Sequence, residues 1–70
     1  MNQKEAILKA IEIVGGANLL AEKLSVSYKT VLDWKNGRTG ISLLNSLKIE
    51  KATNGVIKAK IFIPDYPEVN

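Results

Sequence analysis

The chain contains no cysteine and no histidine. Without cysteine, disulfides and thiolate metal sites are excluded. Without histidine, the commonest general base near neutral pH and the commonest metal ligand are missing as well. No apolar run is long enough to cross a bilayer. No basic-then-apolar leader opens the sequence. These two absences point to a cytoplasmic protein with no membrane partner. Carboxylates are few and scattered: Glu5, Glu12, Glu22, Asp33 and Glu50 fall on outer helical positions with no glycine-rich phosphate cradle near them. Catalysis is therefore the weakest function class, and no enzyme activity, cofactor or metal is expected. The 70 residues fit one small domain with a modest core and little room to enclose a substrate.

What is present is positive charge, unevenly placed. The formal net charge is +3. Residues 1–34 balance Lys4, Lys9, Lys23 and Lys29 against Glu5, Glu12, Glu22 and Asp33. Residues 35–60 set Lys35, Arg38, Lys48, Lys51, Lys58 and Lys60 against Glu50 alone. The last ten residues are acidic through Asp65 and Glu68. A concentrated positive field suits a phosphate backbone. The same lysines also serve as ordinary solubilising surface.

Apolar spacing predicts helices. Ile7, Leu8, Ile11 and Val14 form a stripe over residues 3–14, with Asn2 as N-cap and Glu5 in the first turn. Gly15-Gly16 ends that helix, because glycine accepts the left-handed backbone of a C-cap. A second helix is expected over residues 17–24, with Leu20, Ala21 and Leu24 inward. Ser25-Val26-Ser27 breaks the run, with Val26 tucked between helices and Ser27 capping a third helix that reaches Asn36. Val31 and Trp34 are its core positions, Thr30 is partly buried, and Gly37 closes it. A fourth helix runs from a Ser42 cap to about Thr53, with Leu43, Leu47, Ile49 and Ala52 on its packing side. Asn54-Gly55 is a turn signal that ends it. Residues 56–63 alternate in a way that fits either a strand or a short fifth helix. Pro64-Asp65-Tyr66-Pro67 reads as extended or turn-like. No repeat and no interdomain linker is visible. The division expected is a domain over 1–63 and a C-terminal tail over 64–70.

Two short helices joined by three residues and leaning on a first helix make a helix-turn-helix pattern. In that arrangement the start of the second helix enters the major groove of DNA. Ser27, Tyr28, Lys29, Leu32 and Asp33 lie off the face of Val31 and Trp34. Lys29 can donate to guanine, and Asp33 can accept from a cytosine amino group. Tyr28 offers a ring to a thymine methyl and a hydroxyl to a base or phosphate, and Leu32 can touch a methyl. Asp33 has another role open to it, an ion pair with Lys29 four residues before. Base contacts are thus expected from Tyr28, Lys29, Leu32 and Asp33. Phosphate contacts are expected from Asn18, Ser27, Lys35, Asn36 and Arg38. Lys48, Lys51, Lys58 and Lys60 are weaker phosphate candidates.

The stretch GGANLLAEKLSVSYKTVLDWKNG, residues 15–37, resembles the helix-turn-helix of phage Cro/CI-type repressors, most closely the small YdaS-like, Cro-related antitoxin and repressor group. IEKATNG (49–55) is similar to that group's fourth helix and its ending, and IPDYP (63–67) to its closing segment. The resemblance covers nearly the whole chain. It implies an all-α, four- or five-helix, lambda-repressor-like DNA-binding domain with a short extended tail, in a bacterial or phage-encoded protein. It implies Ala21 where two helices cross, Val26 and Val31 in the core, Ser27, Tyr28, Lys29 and Asp33 at bases, and Asn18, Lys35, Asn36 and Arg38 near the backbone. It further implies a homodimer on a two-fold, double-stranded operator that represses transcription from a phage or toxin–antitoxin promoter. The chain departs from the group in three places. Ser25 replaces the usual turn glycine, which costs about 1 kcal/mol if the backbone there is left-handed. Leu32 takes a position that is usually polar. Ile61 stands where the group more often has a polar residue or leucine, and Ile63 replaces its arginine, which weakens the carry-over of a phosphate contact at 63.

Leu44, Ile61 and Phe62 are the candidates for contact with a second copy, formed in solution or only on DNA. Phe62 has an alternative role as the lid of the core. A second function class also fits: a protein-interaction module using the same third helix. DNA binding predicts steep salt dependence, whereas a peptide interface does not. RNA fits less well, since its deep, narrow major groove rejects a helix.

Overall fold

The computed structural model describes residues 1–66, and these form four α-helices and one 3-10 turn with no strand among them. The helices are α1 (Gln3–Val14), α2 (Ala17–Leu24), α3 (Tyr28–Lys35) and α4 (Leu43–Ala52), and the 3-10 turn spans Ala59–Ile61. This is the all-α class that the apolar spacing indicates. Residues 56–63 resolve to the short 3-10 turn and not to a strand. Pro67 and the rest of the tail lie outside the described residues.

α1, α3 and α4 each begin at a residue whose side chain caps the helix. Asn2 Oδ1 accepts from the Glu5 backbone N–H at 2.8 Å, and the Asn2 N–H donates to Glu5 Oε1 at 3.1 Å, a reciprocal capping box at the head of α1. Ser27 accepts from the Thr30 N–H at 3.1 Å, and Ser42 from that of Asn45 at 3.2 Å. The ends are equally specified. Gly15 closes α1 at φ 100°. Asn36 closes α3, and Gly37 follows at φ 72°, one residue past the cap. There the Arg38 N–H bonds the Asp33 carbonyl and the Gly37 N–H bonds that of Trp34, a Schellman ending.

Ser25 ends α2 at φ 56° and ψ 42°, so the left-handed condition set by its departure from glycine is met. A left-handed non-glycine residue costs about 1–2 kcal/mol. Val26, next in the chain, returns its N–H to the Ala21 carbonyl at 3.0 Å and packs on the core.

The core joins Ala6, Ile7 and Ala10 of α1 to Leu20, Ala21 and Leu24 of α2, Val31 and Trp34 of α3, Ile41 and Ile49, and then Ile57 and Phe62. α3 packs on α1 and α2, while α4 packs on α2 and the 3-10 turn. Phe62 is buried, so it is the lid of the core and not open surface. Ile61 is half-buried.

Two inner faces differ from the apolar spacing. In α1, small Ala6 and Ala10 flank Ile7 inside, and Leu8 is turned out. In α4 the correction is larger. Ile49 and Ala52 pack inward as expected, but Leu43 and Leu47 are exposed and Ser46 and Thr53 are fully buried in their stead. Both hydroxyls are satisfied locally. Ser46 Oγ donates to the Ser42 carbonyl at 2.8 Å, and Thr53 Oγ1 donates to the Ile49 carbonyl at 2.9 Å. Thr53 Oγ1 also accepts from the Ile57 N–H at 3.1 Å, which ties the turn after α4 to the helix. A small hydroxyl bonded to its own helix can be buried at little polar cost.

Candidate nucleic-acid interface

α3 is eight residues long and uses its two inward positions, Val31 and Trp34, to hold itself against α1 and α2. At 100° per residue the outward arc is then Tyr28, Lys29, Leu32, Asp33 and Asn36. Tyr28, Lys29 and Asn36 are exposed, and Leu32 and Asp33 are half-buried. The structure thus brings all four expected base-contacting residues to one arc.

The start of α3 is fixed by more than one bond. The Ser27 and Thr30 hydroxyls are hydrogen-bonded at 2.9 Å, in addition to the cap on the Thr30 N–H. The Ser27 hydroxyl thus sits at the helix end, beside an exposed Tyr28. Lys29 Nζ and Asp33 Oδ2 pair at 3.0 Å. The two ends of this pair differ: the lysine side chain is 79% exposed and the aspartate only 18%. Asp33 thus lies tucked along the helix while its ammonium partner stands at the surface. An exposed pair of this spacing contributes about 0.3–0.5 kcal/mol, so it opens readily when a better acceptor arrives.

Candidate backbone-contacting residues frame this arc. Asn18 is exposed in the first turn of α2, which carries no side-chain cap. Asn36 and Arg38 are exposed after α3, and Lys35 is half-buried in its last turn. Among the described residues Arg38 makes no ion pair.

One positioning residue escapes the sequence reading. Gln3 Nε2 donates to both the Trp34 and the Thr39 carbonyls at 3.0 Å. This amide on the first turn of α1 pins the end of α3 and the loop that carries Asn36 and Arg38. The partners are 31 and 36 residues away, so no local pattern signals them. Lys48 likewise reaches across the fold, donating from Nζ to the Leu24 carbonyl at 3.3 Å. Glu50 Oε1 accepts from the Ala59 N–H at 2.7 Å and so caps the 3-10 turn.

Among the described residues, no group of three or more carboxylates could hold a metal ion, and no helix is long and apolar enough to cross a membrane. What the arc offers is hydrogen bonding and apolar contact: an ammonium, a phenol ring and hydroxyl, and the edge of a leucine.

The family model described as "Bacterial toxin YdaS" matches residues 7–70, which takes in all four helices except the first turn of α1. Neither a curated protein nor a solved structure gives a match.

Proposed function

The chain belongs to the bacterial toxin YdaS family, and from that premise we propose that it is a sequence-specific double-stranded DNA-binding protein of Cro type. In this reading α2, the turn at Ser25–Ser27 and α3 act as a lambda-repressor-like helix-turn-helix. The observation that carries it is the outward arc of α3, where Tyr28 and Lys29 stand exposed beside a firmly capped helix start. A helix presented by its N-terminal end fits the major groove. Lys29 donates to guanine O6 and N7, Tyr28 contacts a thymine methyl or a phosphate, and Leu32 adds an apolar contact. Asp33 orients Lys29 and takes a cytosine amino group when the pair opens. Asn18, Ser27, Lys35, Asn36 and Arg38 hold the sugar–phosphate strands on either side.

An eight-residue helix reads few base pairs, so two copies on a two-fold operator are expected, with their α3 helices roughly 34 Å apart. Leu44, 63% exposed, is the candidate self-contact with the most open surface. Occupancy of the operator then blocks transcription.

The toxin–antitoxin setting is favoured by the family's description. There the same contact would regulate the chain's own operon, and a toxin gene beside the coding sequence distinguishes that setting from a phage repressor.

Selection from a random duplex library at two salt concentrations tests the reading. The expected result is an enriched two-fold motif whose binding weakens steeply with salt. Tyr28→Ala and Lys29→Ala should each cost about 10-fold or more in affinity for the motif, the value of a good base contact. Enrichment indifferent to both changes, or none at all, favours a protein-interaction module.

A further inference from the structure

Behind the α2–α3 turn lies an open depression of about 380 Å³, lined by Lys23, Ser25, Lys48, Lys51 and Ala52. Three lysines from two helices line it. Among the described residues, none of the three forms an ion pair and no carboxylate lines the depression. Glu50, the acidic residue between Lys48 and Lys51, is engaged with the Ala59 N–H. Lys48 alone has a partner, the Leu24 carbonyl at the end of α2. Favourable interaction with helix C-termini accounts for one cation in the last turn of α2, Lys23, and one in that of α4, Lys51. It does not account for their meeting in one concavity with a third.

Ser25 supplies an independent observation. It holds a left-handed backbone, at φ 56°, where glycine would be unstrained. Its N–H is spent on the Ala21 and Glu22 carbonyls. Its hydroxyl has no hydrogen-bond partner, and the residue is exposed. A strained residue in a site lining is a pointer to function. Here the side chain gained over glycine is one hydroxyl donor, set among three lysines.

We propose that this depression is a phosphate-binding site, in which Ser25 Oγ–H and the ammonium groups of Lys23, Lys48 and Lys51 receive a phosphate-class oxyanion. Phosphate oxygens accept short charge-assisted hydrogen bonds from ammonium and hydroxyl donors alike. The phosphate is either a phosphodiester of bound duplex, in which case the site rests on the DNA-binding reading, or part of a free phosphorylated ligand.

The test uses the full chain, isotope-labelled, titrated with pyrophosphate, together with duplex binding at several salt concentrations. Pyrophosphate should shift the resonances of Ser25, Lys23 and Lys51 well beyond those of the control residues Lys4 and Lys9. Ser25→Gly removes the strain and the hydroxyl together. It should raise the Tm by about 4–8 °C and weaken pyrophosphate binding several-fold. Lys51→Gln, at an exposed position, should weaken pyrophosphate binding while lowering the Tm by no more than a few degrees, the cost of one charge at a helix end.

If Lys51→Gln also lowers the salt slope of duplex binding by about 0.9, the site takes a duplex phosphate. If the slope is unchanged while pyrophosphate binding is lost, the site takes a free phosphorylated ligand. Pyrophosphate shifts no larger than those of the controls, with an unchanged slope, overturn the site. Failure of the wild-type chain to bind any duplex removes the DNA-binding reading instead, and the pyrophosphate titration still decides the site.

Discussion

α3 turns Val31 and Trp34 into the core and keeps Tyr28 and Lys29 outside, whereas α4 buries Ser46 along with Ile49, with Thr53 buried at its C-cap, and leaves Leu43, Leu44 and Leu47 exposed. Both helices start from a serine cap, and their lengths differ by two residues. They differ in their neighbours. α3 sits against α1 and α2 and fills that space with a tryptophan and a valine. α4 sits against α2 and the 3-10 turn, and beside Ile49 it buries the small hydroxyl residue Ser46. The lesson is that residue volume at a crossing can outrank hydrophobicity, provided each buried hydroxyl finds a carbonyl.

The sharpest way to break this comparison is at Trp34. Trp34→Ala should remove about 3–5 kcal/mol. A domain of this size holds about 4–10 kcal/mol in all, so the urea midpoint should fall to about half its wild-type value. Near-wild-type stability would mean that α3 is not anchored by that ring.

Thr53→Val keeps the volume on the α4 side and removes the hydroxyl. It leaves the buried Ile57 N–H without its acceptor, so a loss of about 1–3 kcal/mol is expected in the same measurement. A gain in stability would show that the buried hydroxyl is tolerated and not needed.

Leu44→Ser should change monomer stability by no more than about 0.5 kcal/mol, because the leucine is 63% exposed. A larger loss that shrinks on dilution would show that α4's outer face is covered by a second copy.

Much of the candidate site was legible along the chain. Ser27 as the α3 cap, Val31 and Trp34 as its anchors, and the outward arc of Tyr28, Lys29, Leu32 and Asp33 follow from helical period and cap chemistry, which act within four residues. The Lys29–Asp33 pair follows from the same spacing. The Gln3 clamp on Trp34 and Thr39 was not legible, because hydrogen bonds over more than thirty residues leave no periodic trace. Nor was the gathering of Lys23, Lys48 and Lys51 around Ser25, since two of those lysines lie a full helix and a loop away.

The sequence by itself determined the class of fold, the four helix boundaries to within a residue or so, and the capped start of α3. Local backbone energetics decide these, and they are written in neighbouring residues. Only the tertiary structure decided which way α4 faces, the 3-10 form of Ala59–Ile61, and the place of Phe62 over the core. Those outcomes depend on what space remains once α1, α2 and α3 have packed, a quantity that no single segment carries.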